Sequence, residues 1–225
     1  MSTDRIGYRI TEDIPRVSSE LLNGIAEYTA PELCDACVIA TAMDHGIKPR
    51  VTQKKIVGQA VTLRLTLGDS LMVTKAMSLC RPGDILVIDA HGSCDNAVWG
   101  DRRSLAAVAL GLGGAVIDGA VRDIEENEKL GFPLYARAVC CAGSSKGANG
   151  EINVPVACGG VTVNPGDIIV GDRNGVVVVP IAFVGQVTER ARENRKKSDR
   201  LGEEMRTSGK VIPDSVAEKL KRLGY

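Results

Sequence analysis

The chain has 225 residues, 44% hydrophobic but only 3% aromatic, so it can bury a sizeable core made mostly of Val, Ile, Leu and Ala. Its 28 basic and 28 acidic residues cancel, which argues against a broad nucleic-acid-binding surface and for association over self-repulsion. No apolar run has the length of a transmembrane helix, Met1-Ser-Thr-Asp-Arg5 carries no apolar export segment, and the seven cysteines are odd in number. A cytoplasmic protein with reduced thiols and no membrane partner is expected.

Pro15 is expected to open a helix containing Leu21, Leu22 and Ile25, and Pro31 a second containing Leu33, Cys37 and Val38. Residues 42–55 read as a loop and 57–65 as an alternating strand. A short helix is expected over 71–79. The turn Arg81-Pro-Gly-Asp84 leads into Ile85–Ile88, an unbroken apolar run suited to a strand buried on both faces. Residues 89–99 read as a glycine-rich polar loop, and Gly100–Leu110 as a helix closed by Gly111. Ala115–Asp118 is a second buried strand and Ile124–Leu130 a short acidic helix ended by Gly131. This order defines a central βαβ unit in an α/β fold. Phe132–Cys141 returns as a strand, and 144–151 is a loop. Residues 152–157, 160–163, 168–170 and 176–179 are β-rich, parted by turns at Asn164-Pro-Gly-Asp167 and Asp172-Arg-Asn-Gly175. Pro180 should start a long helix to about residue 207, highly charged over 190–206, followed by a terminal helix over 211–225. We read 1–225 as one domain, with 181–225 a helical extension packed on the core or on a neighbouring subunit.

The chemical content concentrates at Asp101, which is followed after twenty residues by Arg122-Asp123. Parallel strands end on one side of a sheet, so the two segments can face each other there. A carboxylate such as Asp123 suits Mg²⁺ or Mn²⁺, which prefer oxygen and keep several waters; Asp101 and Glu126 could hold those waters. The Arg122 fork matches a carboxylate or enolate oxygen. After Gly100, the helix-start amides of Asp101, Arg102 and Arg103 could meet a carboxylate or keto oxygen. The two arginines oppose the helix dipole there by up to about 1 kcal/mol, which an anionic ligand would offset. The plain alternatives are a structural Arg122–Asp101 ion pair and two exposed arginines pairing with nearby acids.

Other signals are weaker. Cys34-x-x-Cys37 lacks a second Cys or His pair to complete a zinc site. Gly111-Leu-Gly-Gly114 falls between a helix and a strand, the wrong context for a dinucleotide loop. His45 and His91 lack metal-ligand spacing, and Cys94 has no evident His partner.

Ala97-Val-Trp-Gly-Asp101, Val116-Ile-Asp-Gly-Ala-Val-Arg-Asp123 and Gly171-Asp-Arg-Asn-Gly-Val-Val-Val-Val-Pro180 resemble the RraA-like family. That family includes class II pyruvate aldolases acting on 4-hydroxy-4-methyl-2-oxoglutarate and 4-carboxy-4-hydroxy-2-oxoadipate, and regulators of ribonuclease E. The resemblance implies a compact α/β sandwich of the swivelling-domain-like type, assembled as homotrimers or homohexamers with sites near subunit boundaries. It implies that Asp123 ligates Mg²⁺ or Mn²⁺ directly and that Asp101 acts through water. Arg122 would bind the keto or enolate oxygen, and the backbone of Gly100–Arg103 the pyruvyl group. Arg102-Arg103 stands where members often carry apolar residues. A neighbouring chain's C-terminal helix often lends an acidic residue; Glu189 and Glu193 are the candidates here. The implied reaction is metal-dependent retro-aldol cleavage of a 4-hydroxy-2-oxo di- or tricarboxylic acid to pyruvate, with oxaloacetate decarboxylation on the side. A non-catalytic protein that binds and modulates a ribonuclease is the alternative.

Overall fold

The structure, a computed structural model, describes residues 8–147, 149–209, 212 and 214–225. The elements are α1 (Ser19–Ala26), α2 (Ala30–Ala36), β1 (Thr41–Ala42), β2 (Lys48–Pro49), β3 (Ile56–Leu65), α3 (Leu71–Met77), β4 (Ile85–Trp99), α4 (Asp101–Ala109), β5 (Gly114–Val121), α5 (Ile124–Leu130), β6 (Leu134–Val139), β7 (Gly150–Ile152), β8 (Val156–Cys158), β9 (Val161–Val163), β10 (Ile168–Asp172), β11 (Gly175–Val179), α6 (Val184–Ser208) and α7 (Asp214–Arg222).

Among the described residues, nine strands form one mixed sheet in the order β1-β11-β10-β3-β4-β5-β6-β2, with β7 attached to β3. β3, β4, β5 and β6 run parallel, joined through α3, α4 and α5, so the expected βαβ unit is present. The strand residues divide by parity into cores on opposite faces. Leu86, Ile88, Ala115, Ile117, Leu134 and Ala136 share one cluster with residues of α3 and α4. Ile85, Val87, Val116 and Tyr135 share another with Ile169, Val176 and Val178 of the antiparallel strands. A third cluster joins Val177 and Val179 to α1, α2 and the first turns of α6.

Several boundaries differ from expectation. Ser18, rather than Pro15, opens the first helix, because its side chain accepts the Leu21 N–H at 3.3 Å. α2 has a capping box: Glu32 Oε2 accepts the Thr29 N–H at 2.8 Å while Thr29 Oγ1 accepts the Glu32 N–H. β3 is buried along nearly its whole length instead of on alternate residues, since helices cover one face and antiparallel strands the other. Residues 89–99 are not a loop but the irregular continuation of β4, which stays paired to β5 through successive register shifts; His91 at φ 58° and Gly92 at φ 69° lie in this bulged stretch. The expected 42–55 loop carries β2. Residues 152–157 divide between β7 and β8, with Asn153 at φ 53° between them. The long helix begins at Val184, after a 3-10 turn over Ile181–Phe183. The terminal helix spans Asp214–Arg222; the earlier part expected from 211, like residues 1–7 and Ala148 of the expected loop, includes positions outside the described residues. No helix among the described residues is long and apolar enough to cross a membrane.

Candidate active site at the ends of β4 and β5

β4 hands over to α4 at Gly100. Trp99 is buried, stacks on Phe132 at 5.8 Å, and donates its indole N–H to Ser104 Oγ at 2.9 Å. These contacts fix the first turn of α4 against the sheet. Next door, the Arg122 N–H donates to Trp99 O at 2.9 Å, the last bond before β5 gives way to α5.

Asp123 then turns into the left-handed region, φ 58° and ψ 48°. In an extended strand, Arg122 and Asp123 would point to opposite faces. With this turn between them, both side chains line the same cleft. A non-glycine residue in this region costs about 1 kcal/mol, although Asp tolerates it better than most. At two close approaches an added carbon would push a site side chain aside. A Cβ on residue 100 would sit 2.4 Å from Asp123 Oδ2, and one on residue 143 would sit 2.9 Å from Arg122 Nη1. Gly100 and Gly143 therefore make space for the carboxylate and the guanidinium.

Asp123 Oδ2 accepts the Asp101 N–H at 3.3 Å and lies 3.3 Å from Arg122 Nε. The structural pair is thus Arg122–Asp123; an Arg122–Asp101 pair is not formed among the described residues. The amides expected to greet a substrate oxygen are already engaged. Asp101 N–H faces Asp123, Arg102 N–H donates to Asp101 Oδ1 at 2.7 Å, and Arg103 N–H donates to Gly100 O at 3.1 Å. The cause is electrostatic: Asp101 folds its carboxylate over the helix start, where the dipole favours a negative charge. A substrate carboxylate reaching those amides would have to displace it.

The two neighbouring arginines take different paths. Arg102 is exposed at the cleft and has no ion-pair partner among the described residues. Arg103 turns inward: Nη1 donates to Val98 O, and Nη2 to Ser70 O and Oγ, each at 2.9 Å. Burial first, then the like charge of Arg122, lowers its pKa. Ser144 Oγ donates to Ser70 Oγ at 2.6 Å, so Arg103 braces the wall that carries Gly143 and Ser144. Glu126, on the first turn of α5, borders the cleft and pairs loosely with Lys129 at 3.7 Å.

The cleft measures about 890 Å³. Gly100, Asp101, Arg102, Arg103, Arg122, Asp123 and Glu126 all line it, with Met77, Ala106 and Leu110 as an apolar wall. Sequence reasoning missed Gly143, Ser144 and Lys146, which come from a distant loop, and Asn127 beneath the turn. Only Asn127 left a local trace, as a poor helix former inside a short acidic helix. Glu189 and Glu193 are on α6 and do not line the cleft; Glu189 pairs with Arg192 at 2.8 Å. His91 bonds Leu65 O through Nε2 at 2.7 Å, and Cys34 and Cys37 pack partly buried against the third core cluster.

Among the described residues, no group of three or more His, Cys, Asp or Glu side chains converges as a ready metal cage. The donors at the cleft fit a narrower case. A hard divalent cation that keeps most of its waters needs one or two protein carboxylates, with substrate oxygens supplying the rest. Asp123, with Asp101 and Glu126 bordering the same space, provides that oxygen-only set.

A mixed sheet with a parallel βαβ centre, a long C-terminal helix and a cleft at the strand ends lined by carboxylates and cations defines an α/β protein. A family model described as Aldolase/RraA, RraA-like, matches residues 30–178, and the chain belongs to the RraA-like family. It is 41% identical over 186 residues, 82% of its own length and 88% of the relative's, to a Halalkalibacterium halodurans protein named "Putative 4-hydroxy-4-methyl-2-oxoglutarate aldolase". It is also similar to the solved structure of the RNA-processing inhibitor RraA from Thermus thermophilus, with TM-score 0.64 and 30% identity over 68% of this chain and 93% of that one. Streptomyces coelicolor RraAS2, described as an unusual member of the RNase ES inhibitor RraA family, aligns with TM-score 0.75 and 25% identity over 83% of this chain and 98% of that one. Relatives named for carbon–carbon cleavage and for ribonuclease inhibition thus share this fold, and the choice between them falls to the cleft.

Proposed function

We propose that the protein is a class II pyruvate aldolase. It cleaves a 4-hydroxy-2-oxo di- or tricarboxylic acid to pyruvate and a second oxo acid, and decarboxylates oxaloacetate as a side activity. The observation that carries this reading is the left-handed turn that brings the Arg122 guanidinium and Asp123 carboxylate into one cleft with Arg102, Arg103 and Lys146. A cation-rich lining suits a substrate bearing several carboxylates.

Mg²⁺ or Mn²⁺ would be held by Asp123 directly and by Asp101 and Glu126 through water; when bound it supplies Lewis acidity at the keto oxygen. Arg122 engages Asp123 through Nε, which leaves its terminal nitrogens for the oxygen that becomes the enolate. Donors held ready for charge that develops only in the transition state lower the barrier most. The 4-hydroxyl loses its proton, the C3–C4 bonding pair moves to form the enolate of pyruvate, and a proton returned to C3 releases pyruvate. Oxaloacetate would lose carbon dioxide through the same enolate. Arg103, tied to Ser70 and Val98, holds the wall, while Arg102 and Lys146 offer charge to the substrate's carboxylates.

The test is pyruvate release from 4-hydroxy-4-methyl-2-oxoglutarate and from oxaloacetate, with Mg²⁺, with Mn²⁺ and after EDTA. EDTA is expected to abolish turnover and added metal to restore it. Folded protein that turns over neither compound with either metal would sink the enzyme reading. The 30% identity to an RNA-processing inhibitor favours ribonuclease modulation as the second reading. That activity, unlike cleavage, would survive Asp123→Ala. We take the assembly to be a homotrimer or homohexamer, which sedimentation velocity would decide.

A further inference from the structure

We propose that Asn127 is a positioning residue, one that sets the Arg122-Asp123 turn on which the aldolase reading rests. Asn127 is fully buried in α5. Its Nδ2 donates to Arg122 O at 2.8 Å and to Asp123 O at 2.7 Å, while its backbone N–H bonds Asp123 O at 3.0 Å. These bonds settle which way the amide faces, since the reverse orientation would set its oxygen against two carbonyl oxygens. Its Oδ1 is buried and has no hydrogen-bond partner among the described residues.

A buried amide with half its bonding capacity unused, one turn after an aspartate at φ 58°, is poor design for a structural helix. Both unfavourable features meet at the same two peptide units. What they secure is the reversal at Asp123 that gives Arg122 and Asp123 a common cleft. Alanine at 127 would remove the side-chain donors that hold both carbonyls, freeing Asp123 to relax toward ordinary backbone angles and turn its carboxylate away from the Asp101 N–H.

Asn127→Ala and Asn127→Asp test this, the latter keeping the volume but replacing the donor with an acceptor. Loss of an outer partner that orients a site residue is expected to lower kcat/KM about 10- to 100-fold. The loss should not add to that of Asp123→Ala, because Asn127 acts through the placement of that carboxylate. A crystal structure of either folded variant should show residue 123 out of the left-handed region. An unchanged turn, wild-type turnover, or losses that add in the double variant would each overturn the inference. If the wild-type protein cleaves no oxo acid, the aldolase reading falls, while the variant crystal structure still decides the role of Asn127.

Discussion

Two clusters of charge are built around the same parallel strands, and they follow opposite principles. On one face, Arg64, Asp89, Asp118 and Arg137 form a row across β3, β4, β5 and β6. Asp118 accepts Arg137 Nε at 2.6 Å and the Gly159 N–H at 2.7 Å; Asp89 accepts the His91 N–H at 3.0 Å and has Arg64 at 3.8 Å. Both carboxylates are buried and partnered on both oxygens, and their backbones are extended strand. On the other face, the cleft combines a left-handed Asp123, two glycines against side chains and, among the described residues, a buried amide oxygen without a partner and an Arg102 without an ion pair. The row is finished within the protein. The cleft is unfinished in the manner of a site that a ligand completes. Charge density alone does not separate the two; satisfaction does.

The comparison can be broken in order of expected effect. Asp123→Ala should lower turnover about 10³-fold, the several kcal/mol that a Lewis acid contributes. Asp123→Gly should match it in kcat yet leave Tm nearly unchanged, because glycine takes φ 58° without strain. A thermal melt paired with a pyruvate assay checks both. If Asp123→Gly instead unfolds the protein, the carboxylate belongs to structure and the contrast collapses.

Arg137→Ala should do the reverse. It strands Asp118 in a buried position and should cost about 3 kcal/mol of stability, read by urea denaturation, with kcat/KM little changed. Gly100→Ala forces the Asp123 carboxylate aside by its 2.4 Å clash and should cost about 10²-fold in kcat with only a modest change in Tm. A kcat within twofold of wild type would show that the carboxylate's position is unimportant.

The smallest effect concerns a pair outside both clusters, the anchor of α6 on α2. Arg195 donates to Glu32 at 2.6 and 2.8 Å, and that hydrogen bonding holds the Glu32 pKa at about 2. A depressed carboxylate pKa stabilises the fold at pH values above its unfolded value of 4.5, and the contribution is lost as pH falls toward about 2. Discounted for partial exposure, it amounts to about 1 kcal/mol. The stability gap between wild type and Glu32→Gln should therefore close between pH 4.5 and 2, followed by chemical denaturation.

The amino-acid sequence by itself determined the elements of this protein and the residue types of its cleft. Ile85–Ile88, Ala115–Asp118 and Ile124–Leu130 announced themselves because hydrophobic runs and helix-ending glycines are local signals. Asp101, Arg122 and Asp123 could be picked out because they flank such elements. Only the tertiary structure decided who touches whom. It spent the α4 amides on Asp101 and Asp123, turned Arg103 toward Ser70, and brought in Gly143 and Lys146 from a loop beyond β6. It also showed that 89–99 stays in the sheet, since bulges let a glycine-rich stretch keep pairing that its composition disguises. The row from Arg64 to Arg137 left no local pattern, because its members are neighbours only across strands. Local periodicity reports which face a residue occupies; partners far away along the chain decide whether a charge there is answered or left open.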